Sequence, residues 1–226
     1  DQHIKGFLAL GAEVEETEDY VALRSGSDGL QGSRLSLDLA SVGATVNIML
    51  AATLLPGQTV IENAAKEPHI VDLANFLNTM GARISGAGTD TVKIRGVNSL
   101  RGGTYTIIPD QIEAGTYLAA VAATGGNVLV QNVIPKHLDC ITGKLQDMGV
   151  KIIPFDDAVR VISDRRLRPA TAKTRPYPGF PTDMQAQVCV CMALAHGISR
   201  LTESVYETRF FGYCSELESM GAKISI

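Results

Sequence analysis

Two patterns of apolar residues alternate along the chain. Leu73, Leu77 and Met80 have the three-to-four-residue spacing of an amphipathic helix, whereas residues 91–95 alternate in polarity as a β-strand does. Each amphipathic helix is expected to end at a glycine that forms its C-terminal cap. These glycines recur at intervals of 70, 68 and 72 residues, at Gly11, Gly81, Gly149 and Gly221. The spacing predicts a structural repeat of about seventy residues.

The repeat also predicts the order of elements within a unit. A second set of glycines lies 23 or 24 residues upstream of the last three, at Gly57, Gly126 and Gly197. Each of these follows an apolar helix, such as 48–54, and precedes a short strand; the predicted strands are 59–63, 128–132 and 200–204. After the amphipathic helix, two alternating runs around a turn predict a β-hairpin, such as 82–85 with 91–95. With a further strand expected at 104–108, the unit is βαβαββ.

A long period with mixed helix and strand content is typical of an α/β protein built from pseudo-symmetric repeats. We expect the sheets outside and the first helix of each unit buried. The chain opens within one unit and stops within another, which predicts a piece of a longer protein. Residues 97–103 and the proline-containing segment 165–179 break the pattern. The second is expected to be an extended crossover that lines a site.

Composition excludes several classes of function. The chain has 226 residues, 45% of them hydrophobic, which suffices for one or two domains with real cores. Its net charge of -4 and the lack of a basic block argue against nucleic acid as a partner. No apolar stretch approaches the roughly 20 residues that a membrane helix needs, so we expect no membrane insertion.

The cysteines predict buried thiols and not a metal site. Cys140, Cys189, Cys191 and Cys214 lie in helix-like apolar segments and lack the spacing of zinc ligands. This usage fits a reducing, cytoplasmic location. We expect neither a metal nor a cofactor.

The segment Ser41–Asn47 is the first candidate for chemistry. Ser41 can cap the apolar helix that follows, while the free backbone N–H groups of the first turn point outward. Such a turn binds phosphate well. The alternative is a capped, buried helix without a ligand.

The segment Gly179–Gln187 is the second candidate. Thr182 with Gln185 fits a capping box, and Asp183 falls in the first turn of the helix. The carboxylate of Asp183 either complements the helix dipole or acts as a general base toward a substrate hydroxyl. The residues alone leave both interpretations open.

Three other patterns are interpreted as architecture. The glycines of 86–90 lie between two strands, so a hairpin turn is favoured over a dinucleotide fingerprint. His69, His137 and Arg209 each lie twelve residues before a repeat glycine and lack a second ligand set. There is no nucleophile elbow of the G-x-S-x-G type, so a covalent hydrolase has no support.

Several segments carry a specific resemblance to known proteins. They are 41–47 (SVGATVN), 61–68 (IENAAKEP), 70–77 (IVDLANFL), 86–90 (GAGTD), 112–116 (IEAGT) and 179–187 (GFPTDMQAQ). Together they closely resemble the UDP-N-acetylglucosamine 1-carboxyvinyltransferases, a family of enolpyruvyl transferases. The resemblance implies transfer of enolpyruvyl from phosphoenolpyruvate to the 3-hydroxyl of UDP-N-acetylglucosamine, with release of phosphate, as the first committed step of peptidoglycan synthesis.

The same resemblance implies a fold and a domain organisation. Enolpyruvyl transferases have six βαβαββ units in two domains, arranged as an inside-out α/β barrel, with the active site in the cleft between the domains. This chain would then be incomplete at both ends. Residues 1–106 are expected to belong to the first domain, which carries the catalytic loop, and 107–226 to the second.

The resemblance also implies roles for individual residues, through their positions in the matching segments. Asp183 matches the family's general base, which takes the proton of the sugar 3-hydroxyl. The expected substrate-binding residues are Asp1 and Gln2 at the uridine, His3 beside the diphosphate, Leu39, Ala40, Ser41, Val42 and Gly43 in and before the diphosphate turn, and Thr182, Val205 and Tyr206 near the sugar.

Departures from the family pattern keep alternatives open. The family usually has a lysine two residues before Ser41, where this chain has Leu39, and its reactive loop cysteine lies upstream of Asp1. The family's cations that bind phosphoenolpyruvate have no match in this chain, so we expect the isolated chain to be inactive. The alternatives are a non-catalytic UDP-sugar-binding or regulatory relative, and a sibling enolpyruvyl transferase with another acceptor. The expected partners are the two small-molecule substrates; the sequence does not indicate a partner chain.

Overall fold

The repeat glycines end four helices, because each adopts a backbone conformation that other residues rarely reach. Gly11, Gly81, Gly149 and Gly221 have φ between 93° and 104° and directly follow a helix-capping residue. In the computed structural model, which describes all 226 residues, the chain forms two compact units, 1–108 and 109–226. The predicted period is therefore a structural one.

The first unit contains one complete repeat. Its elements are α1 (Gln2–Ala9), β1 (Ala12–Glu16), β2 (Val21–Ser25), β3 (Arg34–Ser36), α2 (Val42–Ala52), β4 (Gln58–Glu62), α3 (Pro68–Thr79), β5 (Arg83–Ser85) and β6 (Thr91–Arg95). β1 and β2 form an antiparallel hairpin. The other strands form a sheet of order β3-β4-β6-β5, in which β3 and β4 are parallel and the remaining pairs antiparallel. The order β3-α2-β4-α3-β5-β6 is the predicted βαβαββ unit.

The second unit repeats this pattern less completely. Its elements are α4 (Gln111–Thr124), β7 (Gly126–Gln131), α5 (Asp139–Asp147), β8 (Lys151–Pro154), β9 (Ala158–Ser163), β10 (Thr171–Lys173), α6 (Gln185–Ala193), β11 (Arg200–Thr202) and α7 (Phe210–Ser219). Short 3₁₀ turns at 135–138, 182–184 and 207–209 lead into α5, α6 and α7. The sheets are β7-β9-β8 and the parallel pair β10-β11. β10 lies within the predicted crossover 165–179.

The strand predicted at 104–108 does not form. The segment pairs with no other strand, and Tyr105 instead docks on α3: its hydroxyl donates to Asp72 Oδ1 at 2.7 Å, and its ring lies 5.4 Å from that of Phe76. A strand is stabilised by its ladder, so alternation without a partner strand is not enough to form one.

The first helix of each repeat lies in the core, as predicted. α2 contributes Ile48 and Met49, which are fully buried, to the core of the first unit, and α4 and α6 contribute to the core of the second. Glycines allow neighbouring helices to approach closely. A Cβ at Gly6 would lie 2.2 Å from Ile48 Cδ1 in α2, and one at Gly115 would lie 2.9 Å from Ile141 Cδ1 in α5.

All four cysteines are free thiols in helices. Cys140 is half-buried and the other three are buried. Burial raises the pKa of each thiol, in the case of Cys191 to about 11. The prediction of buried thiols is confirmed for Cys189, Cys191 and Cys214.

No helix has the length and hydropathy that crossing a bilayer requires.

Candidate functional site

The turn that begins α2 is organised by hydroxyl groups. Ser41 is the N-cap, and its Oγ accepts from the Ala44 N–H at 3.3 Å. One turn later, Thr45 donates its hydroxyl to the Ser41 carbonyl at 2.7 Å and accepts from the Ala65 N–H at 3.1 Å. The predicted cap therefore forms, and Thr45 ties it to the loop after β4.

The start of α1 lies against this turn. The His3 ring covers the backbone of Gly43, where an added Cβ would lie 2.9 Å from the ring Cε1. His3 Nδ1 lies 3.0 Å from Asn47 Nδ2, at the next turn of α2. Asp1 caps α1 by accepting from the His3 N–H at 2.8 Å. The structure thus brings the N-termini of two helices together.

The loop before Ser41 is held by α1. Gln2 donates to Asp38 Oδ2 at 3.1 Å and accepts from the Asp38 N–H at 2.8 Å, while Lys5 pairs with the Asp38 carboxylate at 2.5 Å. The hydrogen bonds from Lys5 and Gln2 hold the pKa of Asp38 below its usual value. Next to Asp38, Leu39 is 60% exposed and Ala40 is half-buried. The contacts of Gln2 with Asp38 and of His3 with Gly43 therefore bring the predicted residues of the first unit close together.

The Thr45 hydroxyl gives a stability prediction. We expect Thr45→Val to lower the free energy of unfolding by about 1–3 kcal/mol, because the buried Ala65 N–H would lose its acceptor. Thr59→Val is the matched control, since the buried Thr59 hydroxyl has no hydrogen-bond partner. That change should be neutral or stabilising in urea unfolding followed by circular dichroism. Equal losses for the two variants would contradict this account.

The capping box predicted at Thr182 and Gln185 does not form. Thr182 begins a 3₁₀ turn without a side-chain cap, and α6 starts only at Gln185. The Thr182 hydroxyl donates to Glu203 Oε2 at 2.9 Å, and the Gln185 amide donates to the same oxygen at 2.8 Å. A carboxylate is the stronger acceptor, so it replaces the local cap. Asp183 consequently lies in the turn before α6.

Asp183 is exposed and paired with a cation. Its Oδ1 lies 3.1 Å from Arg209 Nη1, and 60% of its side chain is exposed. The Arg209 guanidinium in turn lies 5.4 Å from the centre of the Tyr206 ring. Arg209 therefore orients the carboxylate. An exposed, oriented carboxylate can accept a proton from a bound hydroxyl.

Glu203 is the acceptor at the centre of this region. It accepts five hydrogen bonds of 2.6–2.9 Å: from the hydroxyls of Thr174 and Thr182, the amide of Gln185, and the backbone N–H groups of Val205 and Tyr206. Partial burial acts to raise the pKa of Glu203, but the hydrogen bonds from the two threonines and the two backbone groups outweigh it and hold the pKa below its usual value. Glu203 is thus an ionised acceptor satisfied by neutral donors.

The sequence motifs do not indicate Glu203 or the pairing of Arg209. The spacing of Arg209 indicates architecture, whereas in the structure its guanidinium contacts both Asp183 and Tyr206. The repeat itself carried a signal for Glu203: it lies six residues after Gly197, where the other units have Asn63 and Asn132.

Among the histidines, His69 is exposed, and burial lowers the pKa of His137. No group of three or more His, Cys, Asp or Glu side chains is placed to hold a metal ion.

Comparison with known proteins gives a consistent result over the whole chain. A family model described as EPSP synthase (3-phosphoshikimate 1-carboxyvinyltransferase) matches residues 1–226. The chain is 56% identical over 226 residues to UDP-N-acetylglucosamine 1-carboxyvinyltransferase 3 of Caldanaerobacter subterraneus subsp. tengcongensis, covering 100% of this chain and 54% of that protein. It is 54% identical over 226 residues to UDP-N-acetylglucosamine 1-carboxyvinyltransferase of Clostridium botulinum, with the same coverage of 100% and 54%. The chain spans about half the length of the curated relatives it matches.

Solved structures support the fold. The enolpyruvyl transferase NikO from Streptomyces tendae has a TM-score of 0.86 at 23% identity, with 100% of this chain and 56% of that chain covered. EPSP synthase from Acinetobacter baumannii has a TM-score of 0.61 at 19% identity, with coverage of 97% and 52%. The predicted α/β fold of the enolpyruvyl-transferase type is confirmed.

Proposed function

The chain belongs to the EPSP synthase (3-phosphoshikimate 1-carboxyvinyltransferase) family, and we propose that the protein containing it is an enolpyruvyl transferase. It transfers enolpyruvyl from phosphoenolpyruvate to the 3-hydroxyl of UDP-N-acetylglucosamine. The reaction releases phosphate and is the first committed step of peptidoglycan synthesis. The observation that carries this choice of acceptor is the 56% identity, over all 226 residues, to a relative named for it. Solved neighbours at 19–23% identity support the fold but do not distinguish acceptors.

The proposed chemistry is addition followed by elimination. The sugar hydroxyl oxygen attacks C2 of phosphoenolpyruvate and loses its proton to Asp183, while C3 gains a proton. Phosphate then leaves from C2 as C3 gives up a proton, which restores the double bond in the enolpyruvyl ether. Asp183 suits the first step because it is exposed and oriented by Arg209 at 3.1 Å.

The first unit is proposed to bind the nucleotide half of the acceptor. The free N–H groups at the start of α2 favour an anion, which suits the diphosphate. In this proposal Ser41, Val42 and Gly43 contact the diphosphate, with His3 beside them because its ring covers Gly43. Asp1, Gln2, Leu39 and Ala40 complete the nucleotide-binding surface, and Thr182, Val205 and Tyr206 contact the sugar.

The two units are proposed to represent the two domains of the family. Residues 1–106 would belong to the domain that carries the catalytic loop, and 107–226 to the other. Each unit has its own hydrophobic core, which is what separate domains require.

A phosphate-release assay of the full-length gene product tests the proposed function. With phosphoenolpyruvate present, we expect release that depends on UDP-N-acetylglucosamine and not on shikimate 3-phosphate. Release with shikimate 3-phosphate alone would instead support a sibling transferase. Binding of UDP-N-acetylglucosamine without any release would support the non-catalytic relative and overturn the proposal.

A further inference from the structure

We propose that Glu203 is a positioning residue for enolpyruvyl transfer: its carboxylate fixes the turn that carries Asp183 to the loop that carries Val205 and Tyr206. This inference rests on the proposed function of Asp183 and of that loop. Glu203 itself does not contact the reacting atoms in this proposal. It acts through Thr182 on one side and through the backbone of the loop on the other.

The first support is a comparison of equivalent positions in the repeat. In the first unit, Leu37 follows β3 and Asn63 follows β4, and the Asn63 amide donates to the Leu37 carbonyl at 2.9 Å. In the second unit, Thr174 follows β10 and Glu203 follows β11, in the same parallel register. Glu203 therefore occupies the position of a structural asparagine that makes a single bond across the strand pair.

Replacement of the asparagine by Glu203 changes which segments this repeat position connects. Asn63 and Asn132 both have a φ of 54°, whereas Glu203 is not among the residues with positive φ. Glu203 keeps the contact across the strand pair, to Thr174 at 2.6 Å, and its side chain also reaches Thr182 at 2.9 Å and Gln185 at 2.8 Å. A position that in the first unit bonds only across its own strand pair here joins three segments of the second unit.

The second support is the closed path of contacts around Asp183. Thr182, adjacent to Asp183, binds Glu203 Oε2, and Glu203 Oε1 accepts from the Tyr206 N–H at 2.8 Å. The Tyr206 ring lies 5.4 Å from the Arg209 guanidinium, which returns to Asp183. Two sets of contacts therefore fix the position of Asp183: its ion pair with Arg209, and the hydrogen bond from the adjacent Thr182 to Glu203. Both Arg209 and Glu203 in turn contact the loop that is proposed to contact the sugar.

The charge of Glu203 is essential to this arrangement. Its two oxygens accept five hydrogen bonds from neutral donors, and none of the ion pairs in the chain includes it. A glutamine has only one acceptor oxygen. In Glu203→Gln the new amide would face either the loop N–H groups or the Gln185 amide, so one side of the connection must open.

The test is steady-state kinetics of the full-length protein carrying Glu203→Gln. We expect kcat to fall about 10–100-fold, as for a displaced catalytic group, and the KM for UDP-N-acetylglucosamine to rise several-fold. Glu62→Gln is the matched control, because Glu62 also accepts side-chain hydrogen bonds, from Arg34, but lies on the sheet of the other unit. The control should leave both parameters within twofold.

A double-mutant cycle separates positioning from a general loss of structure. Thr182→Val removes the donor on the Asp183 side, whereas Thr182→Ser keeps a hydroxyl and should restore most of kcat. If Glu203 acts through Thr182, the kcat of the double variant Glu203→Gln, Thr182→Val should be no lower than that of Glu203→Gln alone, whereas independent losses of kcat would multiply. Loss of the proposed contact between Thr182 and the sugar would instead raise KM. The Thr182 pair also applies if Glu203→Gln does not fold.

The outcomes distinguish this inference from the function on which it rests. An active wild type whose Glu203→Gln variant keeps kcat and KM within twofold overturns the inference alone. Multiplying losses in the cycle, or an unchanged kcat in Thr182→Val, also overturn it. A wild type without UDP-N-acetylglucosamine-dependent phosphate release overturns the proposed function and this inference together.

Discussion

Asp183→Asn in the full-length protein is expected to lower kcat by about 10²–10⁴-fold, the range of a lost general base. Asparagine has nearly the same shape and keeps an oxygen that can accept from Arg209, which lies 3.1 Å from the carboxylate. The side chain should therefore stay in place while its ability to take up the sugar proton is lost. The dissociation constant for UDP-N-acetylglucosamine, measured by titration calorimetry, should change by less than about threefold, because only a transition-state interaction is removed.

The control for this prediction is Asp147→Asn. Asp147 also pairs with a cation, Lys144 at 2.6 Å, but it lies at the end of α5. That variant should keep full turnover in the phosphate-release assay. A kcat for Asp183→Asn within twofold of the wild type would exclude Asp183 as the base, whatever its effect on binding.

The second large effect is expected at Gly96, in the fold of the first unit. The Gly96 N–H donates to the Gly57 carbonyl at 3.0 Å, and a Cβ at Gly96 would lie 1.6 Å from the Leu55 carbonyl oxygen. Overpacking typically costs about 1–3 kcal/mol when side chains can move. Here the obstacle is backbone, so Gly96→Ala should lower the free energy of unfolding by about 3 kcal/mol or more, measured by urea unfolding.

The same segment supplies a matched control. A Cβ at Gly102 would meet no atom within 4 Å. Gly102→Ala should therefore leave the urea midpoint unchanged or raise it slightly, since alanine restricts the unfolded chain more than glycine does. If Gly96→Ala were as stable as Gly102→Ala, the close approach of Gly96 to the 55–57 turn would be wrong.

Local signals predicted most of the fold. The helix ends at Gly81 and Gly149, the hairpin turn at 86–90 and the strand 91–95 each depend on residues that lie close together in the chain. Backbone conformation at glycine and the burial of alternating residues act over these short distances. The repeat added the order of elements, because the same local signals recur in it.

The errors arose where a distant residue changed the local outcome. The segment 104–108 alternates as a strand should, but Tyr105 binds Asp72, 33 residues earlier. Thr182 has the residues of a capping box, but Glu203 takes its hydroxyl instead. Such competition depends on tertiary contacts, which spacing along the chain does not reveal.

In the candidate site, too, the features that depend on neighbouring residues could be predicted and those that depend on distant residues could not. The cap at Ser41 was predictable, because it depends on a serine directly before an apolar helix. The pair of Asp183 and Arg209 was not, since 26 residues separate them and nothing in their spacing indicates contact. The choice of Asp183 as a base came from the family resemblance and is still a prediction.

The shielded thiols make the chain a convenient background for spectroscopic labelling. Maleimide reagents react with the thiolate, and burial raises the pKa of all four native cysteines. A cysteine introduced at an exposed position, such as Val205 or Leu39, would therefore react far faster at neutral pH than the native ones. Fluorophores or spin labels could be attached to the native sequence at chosen positions without first removing its cysteines.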